Sequence, residues 1–217
     1  MTELADQVRV LAFDIFGTTV DWRTGVARQV AAVAAERGRP GAGAGPDASA
    51  GPGASAGPGG ELADAWRARY LPAVAEVNAG ARDWAYLDTL HREALDELLA
   101  ERGLDRDYDE PARRRLVRAW HRLPAWPDVA DGLRRLRARY TVVALSNGGF
   151  ALLTGLLKAE GLHFDAILSA ENARAYKPDR RAYRTAAELL DTPPGEMLMV
   201  AAHGWDLDGA RAAGLRT

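Results

Sequence analysis

Four short apolar runs, each followed by polar or turn residues and divided by stretches of helical periodicity, constrain this chain more than any other feature. The first, Val8 to Phe13 (VRVLAF), is too short for a helix and has polar neighbours, which is how a buried parallel strand reads. Thr141 to Leu145 (TVVAL), the brief Ala166 to Leu168, and Met197 to Ala201 (MLMVA) repeat the pattern. Amphipathic helical stretches lie between them, at Asp128 to Arg139, Phe150 to Glu160 and Asp179 to Leu190, and one from Asp206 to Ala213 ends at Gly214. Strands alternating with helices predict a parallel, doubly wound α/β sheet. Leu215 to Thr217 read as the start of a further strand.

Between the first strand and this series the periodicity is helical only. Trp66, Tyr70, Ala73 and Val77 make one stripe, and Leu87, Leu90, Ala94 and Leu98 another. Helices alone, inserted after the first strand, predict a separate helical cap, with the sheet resuming near Pro124 where LPAWPD breaks the pattern. The expected division is a Rossmann-like core over residues 1–22 and 124–217, and a cap over residues 23–123. Within the cap, Pro40 to Gly60 is almost wholly Gly, Ala, Pro and Ser. Such a stretch has too little apolar surface to offset its ordering entropy, so it is expected to be a flexible insertion.

Bulk properties exclude several function classes. The chain has no cysteine, which removes disulfides, thiolate metal sites and a cysteine nucleophile together. A net charge of -2 offers no basic field for a nucleic-acid backbone. No apolar run approaches the roughly 18 residues that span a bilayer, and the opening MTELADQVRVLAFD lacks a signal pattern. A cytoplasmic protein without nucleic-acid or membrane partners is expected.

Chemistry collects at the strand ends. Asp14 follows the first strand, where parallel sheets form their ligand crevices, and Gly17 and Thr18 supply a sharp turn and a hydroxyl beside it. Ser146 and Asn147 follow the second strand, Lys177 precedes a helix start, and Trp205 and Asp206 follow the fourth strand after Ala202-His203-Gly204. Each alone could be a cap, a turn residue or a surface lysine. Together they deliver a carboxylate, a hydroxyl-amide pair, an ammonium and a second carboxylate to one edge of one sheet.

In this order the motifs FDIFGT, LSNG, YKPD and the WD-containing turn resemble the haloacid dehalogenase superfamily, and most of all its L-2-haloacid dehalogenases. The resemblance spans nearly the whole chain apart from the Gly/Pro-rich stretch. Phosphatases of that superfamily carry a general-acid aspartate two positions after the nucleophile and a magnesium-binding acid after the last motif strand. Phe16 and Ala201-Ala202 occupy those places here, so phosphoryl transfer is not expected. The resemblance implies a metal-independent and cofactor-free hydrolysis of short 2-haloacids, with Asp14 as nucleophile and an aspartyl ester as intermediate. A phosphatase-like or substrate-shifted hydrolase of the same superfamily and a non-catalytic binding member remain the alternatives.

The resemblance also distributes roles. Lys177, Thr18, Ser146 and Asp206 would hold and orient Asp14, and Phe16 would keep the pocket dry. Arg67, in a Trp-Arg pair, and Asn147 would bind the halide or the substrate, with Leu71, Tyr183 and Trp205 close by. Arg67, Leu71 and Val74 share one helix face by their spacing. His203 stands where better-known members carry asparagine. It is either a general base for ester hydrolysis, partnered by Asp21, or a turn residue bonded to backbone. The small haloacid is the expected partner, and a homodimer is compatible with the resemblance.

Overall fold

The computed structural model describes residues 7–37 and 58–217. They group into two compact units, one of residues 7–20, 77–84 and 125–217, the other of residues 21–37, 58–76 and 85–124.

The first unit is built on a four-stranded parallel sheet, β1 (Val10–Phe13), β2 (Thr141–Ser146), β3 (Ala166–Ser169) and β4 (Met197–Val200), in the order β3-β2-β1-β4. From β1 the chain builds to one side through β2 and β3, then crosses back to lay β4 on the other side. The carboxyl ends of β1 and β4 therefore flank a switch point, the usual crevice of an open α/β sheet. Helices α6 (Val129–Arg137), α7 (Phe150–Ala159), α8 (Ala170–Ala173), α9 (Arg180–Leu189) and α10 (Gly204–Ala213) connect and cover the strands. Val10, Ala12, Val143, Leu145, Met197 and Met199 pack with Tyr183 and Ala186 of α9 and Ala210 of α10 in one core. The central strands β1 and β2 are buried along most of their length, which is why they show apolar runs rather than alternation. Arg216 extends the sheet beyond β4, accepting from Met199 N at 2.8 Å and donating to Met197 O at 2.9 Å.

The second unit contains α1 (Trp22–Glu36), α2 (Pro58–Ala68), α4 (Leu87–Glu101), α5 (Glu110–Ala119) and most of α3 (Tyr70–Asn78), whose last residues, from Val77, group with the sheet. Asp21 and Asp109 cap α1 and α5, accepting from Thr24 N and Ala112 N at 3.0 Å each. The continuous helix expected across Arg67, Leu71 and Val74 is broken at Arg69, between α2 and α3. Pro72 explains it: proline has no N–H to give Ala68 O, and its ring crowds that carbonyl four residues back.

The expectation of flexibility over Pro40 to Gly60 is corrected at one end; residues 40–57 lie outside the described residues. Pro58, Gly59 and Gly60 form the first turn of α2. Proline suits a first helical turn. Gly59 lets α2 approach α1, since a Cβ there would sit 2.7 Å from Ala27 O. Composition had marked these residues as lacking side chains to bury, whereas a close helix contact requires that lack. Among the described residues no helix is long and apolar enough to cross a membrane.

Candidate active site

The turn after β1 is drawn around one carbonyl. Thr18, Thr19 and Val20 all donate their amides to Ile15 O, at 3.2, 2.9 and 3.2 Å, and Gly17 takes the positive φ of 88° that this requires. Asp14, at the mouth of the turn, is 5% exposed. Its Oδ2 accepts from Thr18 Oγ1 at 2.9 Å and its Oδ1 from Lys177 Nζ at 3.0 Å. Thr18 Oγ1 in turn accepts from Ala202 N at 3.0 Å, so the loop after β4 fixes the hydroxyl that fixes the carboxylate.

Lys177 lies just before α9, which Asp179 caps by accepting from Arg181 N. Its ammonium is 1% exposed and bridges Asp14 to Asp206 Oδ2, the latter at 2.5 Å. Burial works to lower the Lys177 pKa, but the charges of Asp14 and Asp206 outweigh it and hold the ammonium above its ordinary value. Asp206 is held above the usual carboxylate range, first by burial and then by the Asp14 charge, against the pull of Lys177. The ammonium thus stays charged while its two carboxylates compete for it.

The remaining expected residues divide into supports and pocket neighbours. Ser146 does not reach Asp14: its Oγ accepts from Gly148 N at 3.1 Å, shaping the turn after β2. Asn147, expected at the halide, grips the Lys177 backbone, donating to Lys177 O at 3.0 Å and accepting from Lys177 N at 2.7 Å. Tyr183, expected near substrate, is 0% exposed and donates to Asp206 Oδ1 at 2.6 Å, so it holds that carboxylate in place. Phe16 is buried beside Gly148, where a Cβ would meet its ring at 3.1 Å. Trp205 and His203 tilt against each other at 5.6 Å. His203 Nε2 is buried without a hydrogen-bond partner, and the Asp21 carboxylate expected to serve it caps α1.

Arg67 and Leu71 belong to the other unit. The Arg67 guanidinium lies 4.0 Å over the Tyr70 ring and 5.6 Å from that of Trp22, and within its own unit no described carboxylate pairs with it. Below it His91 stacks on Trp120 at 4.4 Å, with Trp66 edge-on at 6.0 Å donating its indole N–H to His91 O. Leu71 is 40% exposed. Two residues carried no sequence signal. Asn78, at the end of α3, bonds the Tyr176 backbone through both ends of its amide. His91 is a wholly buried imidazole that stands one residue past Leu90 of the expected stripe.

The model of the haloacid dehalogenase-like hydrolases matches residues 8–214. The chain belongs to that family. Among its relatives, (S)-2-haloacid dehalogenase 1 of Pseudomonas sp. (strain CBS-3) is 32% identical over 98% of this chain and 84% of its own length. The defluorinating L-2-haloacid dehalogenase Rha0230 superposes with a TM-score of 0.84 at 41% identity, over 96% of this chain and 79% of that one. The L-2-haloacid dehalogenase of Xanthobacter autotrophicus, with chloropropionic acid covalently bound, has a TM-score of 0.76 at 29% identity, over 96% and 75%. As a haloacid dehalogenase-like hydrolase, the chain places its family motifs at the switch point of the sheet. Its Asp14 carboxylate is prepared there by one hydroxyl and one ammonium.

Proposed function

We propose that the protein hydrolyses short 2-haloalkanoic acids to 2-hydroxy acids through an ester on Asp14. The observation that carries the reading is the grip on Asp14, a buried carboxylate fixed through both oxygens by Thr18 and Lys177, with Phe16 where a phosphatase would carry its acid. The relatives named for this reaction, one of them holding chloropropionic acid covalently, support it.

Asp14 attacks the halogen-bearing carbon with a carboxylate oxygen; a C–O bond forms as the carbon–halogen bond breaks and halide leaves. Water then adds to the Asp14 carbonyl carbon, the 2-hydroxy acid departs, and the carboxylate is restored. Lys177 keeps Asp14 ionised and aimed for the first step. His203, whose Nε2 is buried and unpartnered, takes the proton of the attacking water in the second. Arg67 holds the substrate carboxylate or the departing halide, its charge unmatched by any carboxylate among the described residues of its own unit. Nothing in these steps calls for a metal or an organic cofactor. A cytoplasmic location and a homodimer complete the proposal; sedimentation of the purified protein tests the dimer.

A single turnover in ¹⁸O-water with enzyme in excess tests the mechanism. The 2-hydroxy acid should carry unlabelled oxygen and the Asp14 carboxylate should gain ¹⁸O. Labelled product from that first turnover would mean that water attacks the carbon directly and that no ester forms. With His203→Ala the ester should accumulate to a level that mass spectrometry detects. Halide release from 2-chloropropionate should be undiminished by a chelator.

A further inference from the structure

Tyr176 and Lys177 lie between α8 and α9, outside any helix or strand, so no regular ladder satisfies their peptide groups. Both residues are 1% exposed, and buried peptide groups are costly to leave unpaired. Asp179 N donates to Tyr176 O at 2.9 Å, and two asparagine side chains supply further bonds. Asn147 Oδ1 accepts from Lys177 N at 2.7 Å, and its Nδ2 donates to Lys177 O at 3.0 Å. One residue earlier, Asn78 Oδ1 accepts from Tyr176 N at 2.9 Å, and its Nδ2 donates to Tyr176 O at 2.8 Å. A carboxamide carries one acceptor and donors side by side, and so matches the N–H and C=O of a single residue.

The two clamps meet on one peptide plane. Tyr176 O and Lys177 N belong to the same amide; Asn78, together with Asp179 N, holds its oxygen edge while Asn147 holds its nitrogen edge. A plane gripped from both sides cannot rotate, and its orientation sets the direction in which the Lys177 side chain leaves the backbone. Further contacts seat Asn78. Trp84 stacks on the Tyr176 ring at 4.7 Å and 20°, Arg174 lies 5.9 Å over Trp84, and Arg181 Nη2 donates to Asn78 O at 3.3 Å. The stretch from Val77 to Trp84 belongs to the same compact unit as the lysine, although it arrives from the cap helices.

We propose that Asn78 is a positioning residue for Lys177, setting through the Tyr176–Lys177 peptide where the ammonium meets Asp14 and Asp206. Its kinetic consequence rests on the dehalogenation reading given above. The ammonium bridges contacts of 3.0 and 2.5 Å, which leaves little slack, and a displacement of about 1 Å in such an arrangement can cost about 100-fold in rate.

Asn78→Leu keeps the bulk and removes both bonds; Asn78→Asp keeps the acceptor for Tyr176 N but turns an acceptor toward Tyr176 O. With 2-chloropropionate, either variant should lose about 10-fold in kcat with KM within about twofold of the parent. The acid limb of the rate profile should move to higher pH, because Lys177 is what opposes the upward push on Asp206. Arg181→Ala, which removes the bond to the Asn78 carbonyl and an exposed ion pair with Asp179 but leaves both Asn78 side-chain bonds, should behave as the parent. Amide hydrogen exchange at Lys177 should accelerate about 10-fold in both Asn78 variants, with or without substrate. A folded Asn78→Leu with parental kcat, acid limb and Lys177 exchange overturns the proposal, and Asn78→Asp decides on the same measurements if the leucine variant does not fold. Should the parent release no halide at all, the function reading falls and the exchange rate alone decides whether Asn78 positions Lys177; an unchanged rate overturns it.

Discussion

Lys177 and Arg67 are both cations on buried or half-buried ground, and the protein holds them in opposite ways. Around Lys177 two carboxylates stand at 3.0 and 2.5 Å and lift the ammonium above its ordinary pKa. Around Arg67 stand the faces of Tyr70 and Trp22, and the nearby imidazole of His91 is pushed down to about 3, by burial first and by the Arg67 charge second. One site pairs its cation with carboxylates; the other faces its cation with rings and, through burial first and the Arg67 charge second, disfavours a second positive charge at His91. A cation matched by internal carboxylates can orient them but has little charge left for a ligand. A cation seated on aromatic rings keeps its charge for an anion from outside. On the proposed function, the difference separates a group that prepares the nucleophile from one that receives substrate or halide.

The largest effects break the lysine side. Asp14→Asn should abolish turnover altogether, since a neutral amide is a far poorer nucleophile in the same geometry; halide release measures it. Lys177→Ala should lower kcat about 100-fold or more and leave two buried carboxylates without their counter-charge. Asp206 already has a raised pKa, and without Lys177 it should rise further. A carboxyl raised on folding binds a proton more tightly in the folded state, so the variant is most stable in acid and loses stability as pH climbs through the folded-state value. Urea unfolding in acid and at neutral pH should show Lys177→Ala approaching the parent only in acid. A variant equally destabilised at both would mean that Lys177 acts by packing alone.

The lysine side was also the legible side. Asp14, Thr18, Lys177 and Asp206 sit at strand ends or helix starts, so local patterning was enough to bring them to one edge. What it could not give was partners. The resemblance implies ligand roles for Asn147 and Tyr183; in the structure Asn147 also grips the Lys177 backbone and Tyr183 also bonds Asp206. Asn78 lies 98 residues from the Tyr176 it clamps, and no spacing rule reaches that far. Gly59 was misread because composition counts an absent side chain as missing cohesion, whereas against Ala27 the absence is what lets two helices meet. His91 shows the same limit on the arginine side: it stands one residue past Leu90 of the expected stripe, and nothing in that spacing says that an imidazole there would be stacked, neutral and beside a cation.

That neutrality yields the next effect in size. His91 has an ordinary value of 6.5 and a folded value of about 3, so the unfolded chain takes up a proton that the folded one refuses. For a base with a depressed pKa, stability is full above 6.5 and is lost as pH falls toward 3. At about pH 5 the loss should reach about 2 kcal/mol. His91→Leu removes the titrating group, so its stability should not show this part of the acid decline, whatever its level at neutral pH. Parallel decline of parent and variant in denaturant titrations at the two pH values would show that the imidazole reaches a proton in the folded state. The surroundings of Arg67 would then not disfavour a second positive charge at His91.

The smallest effect tests the ring beneath the guanidinium. If Tyr70 seats Arg67 by its aromatic face, loss of the ring should weaken substrate binding more than loss of the hydroxyl. Tyr70→Phe should therefore keep substrate binding near the parent level. Tyr70→Leu should raise KM by about fivefold, the equivalent of about 1 kcal/mol for a half-buried cation–π contact, with kcat changed by less than about twofold. The split matters because a packing defect on the helix would not distinguish phenylalanine from leucine in KM alone. Arg67→Lys supplies the control: an ammonium keeps the charge but not the planar face that stacks on Tyr70, so in that background the leucine substitution should add almost nothing further. Full additivity of the two changes would show that Tyr70 and Arg67 act independently. The contrast between a cation held by carboxylates and one held by rings would then lose its second half.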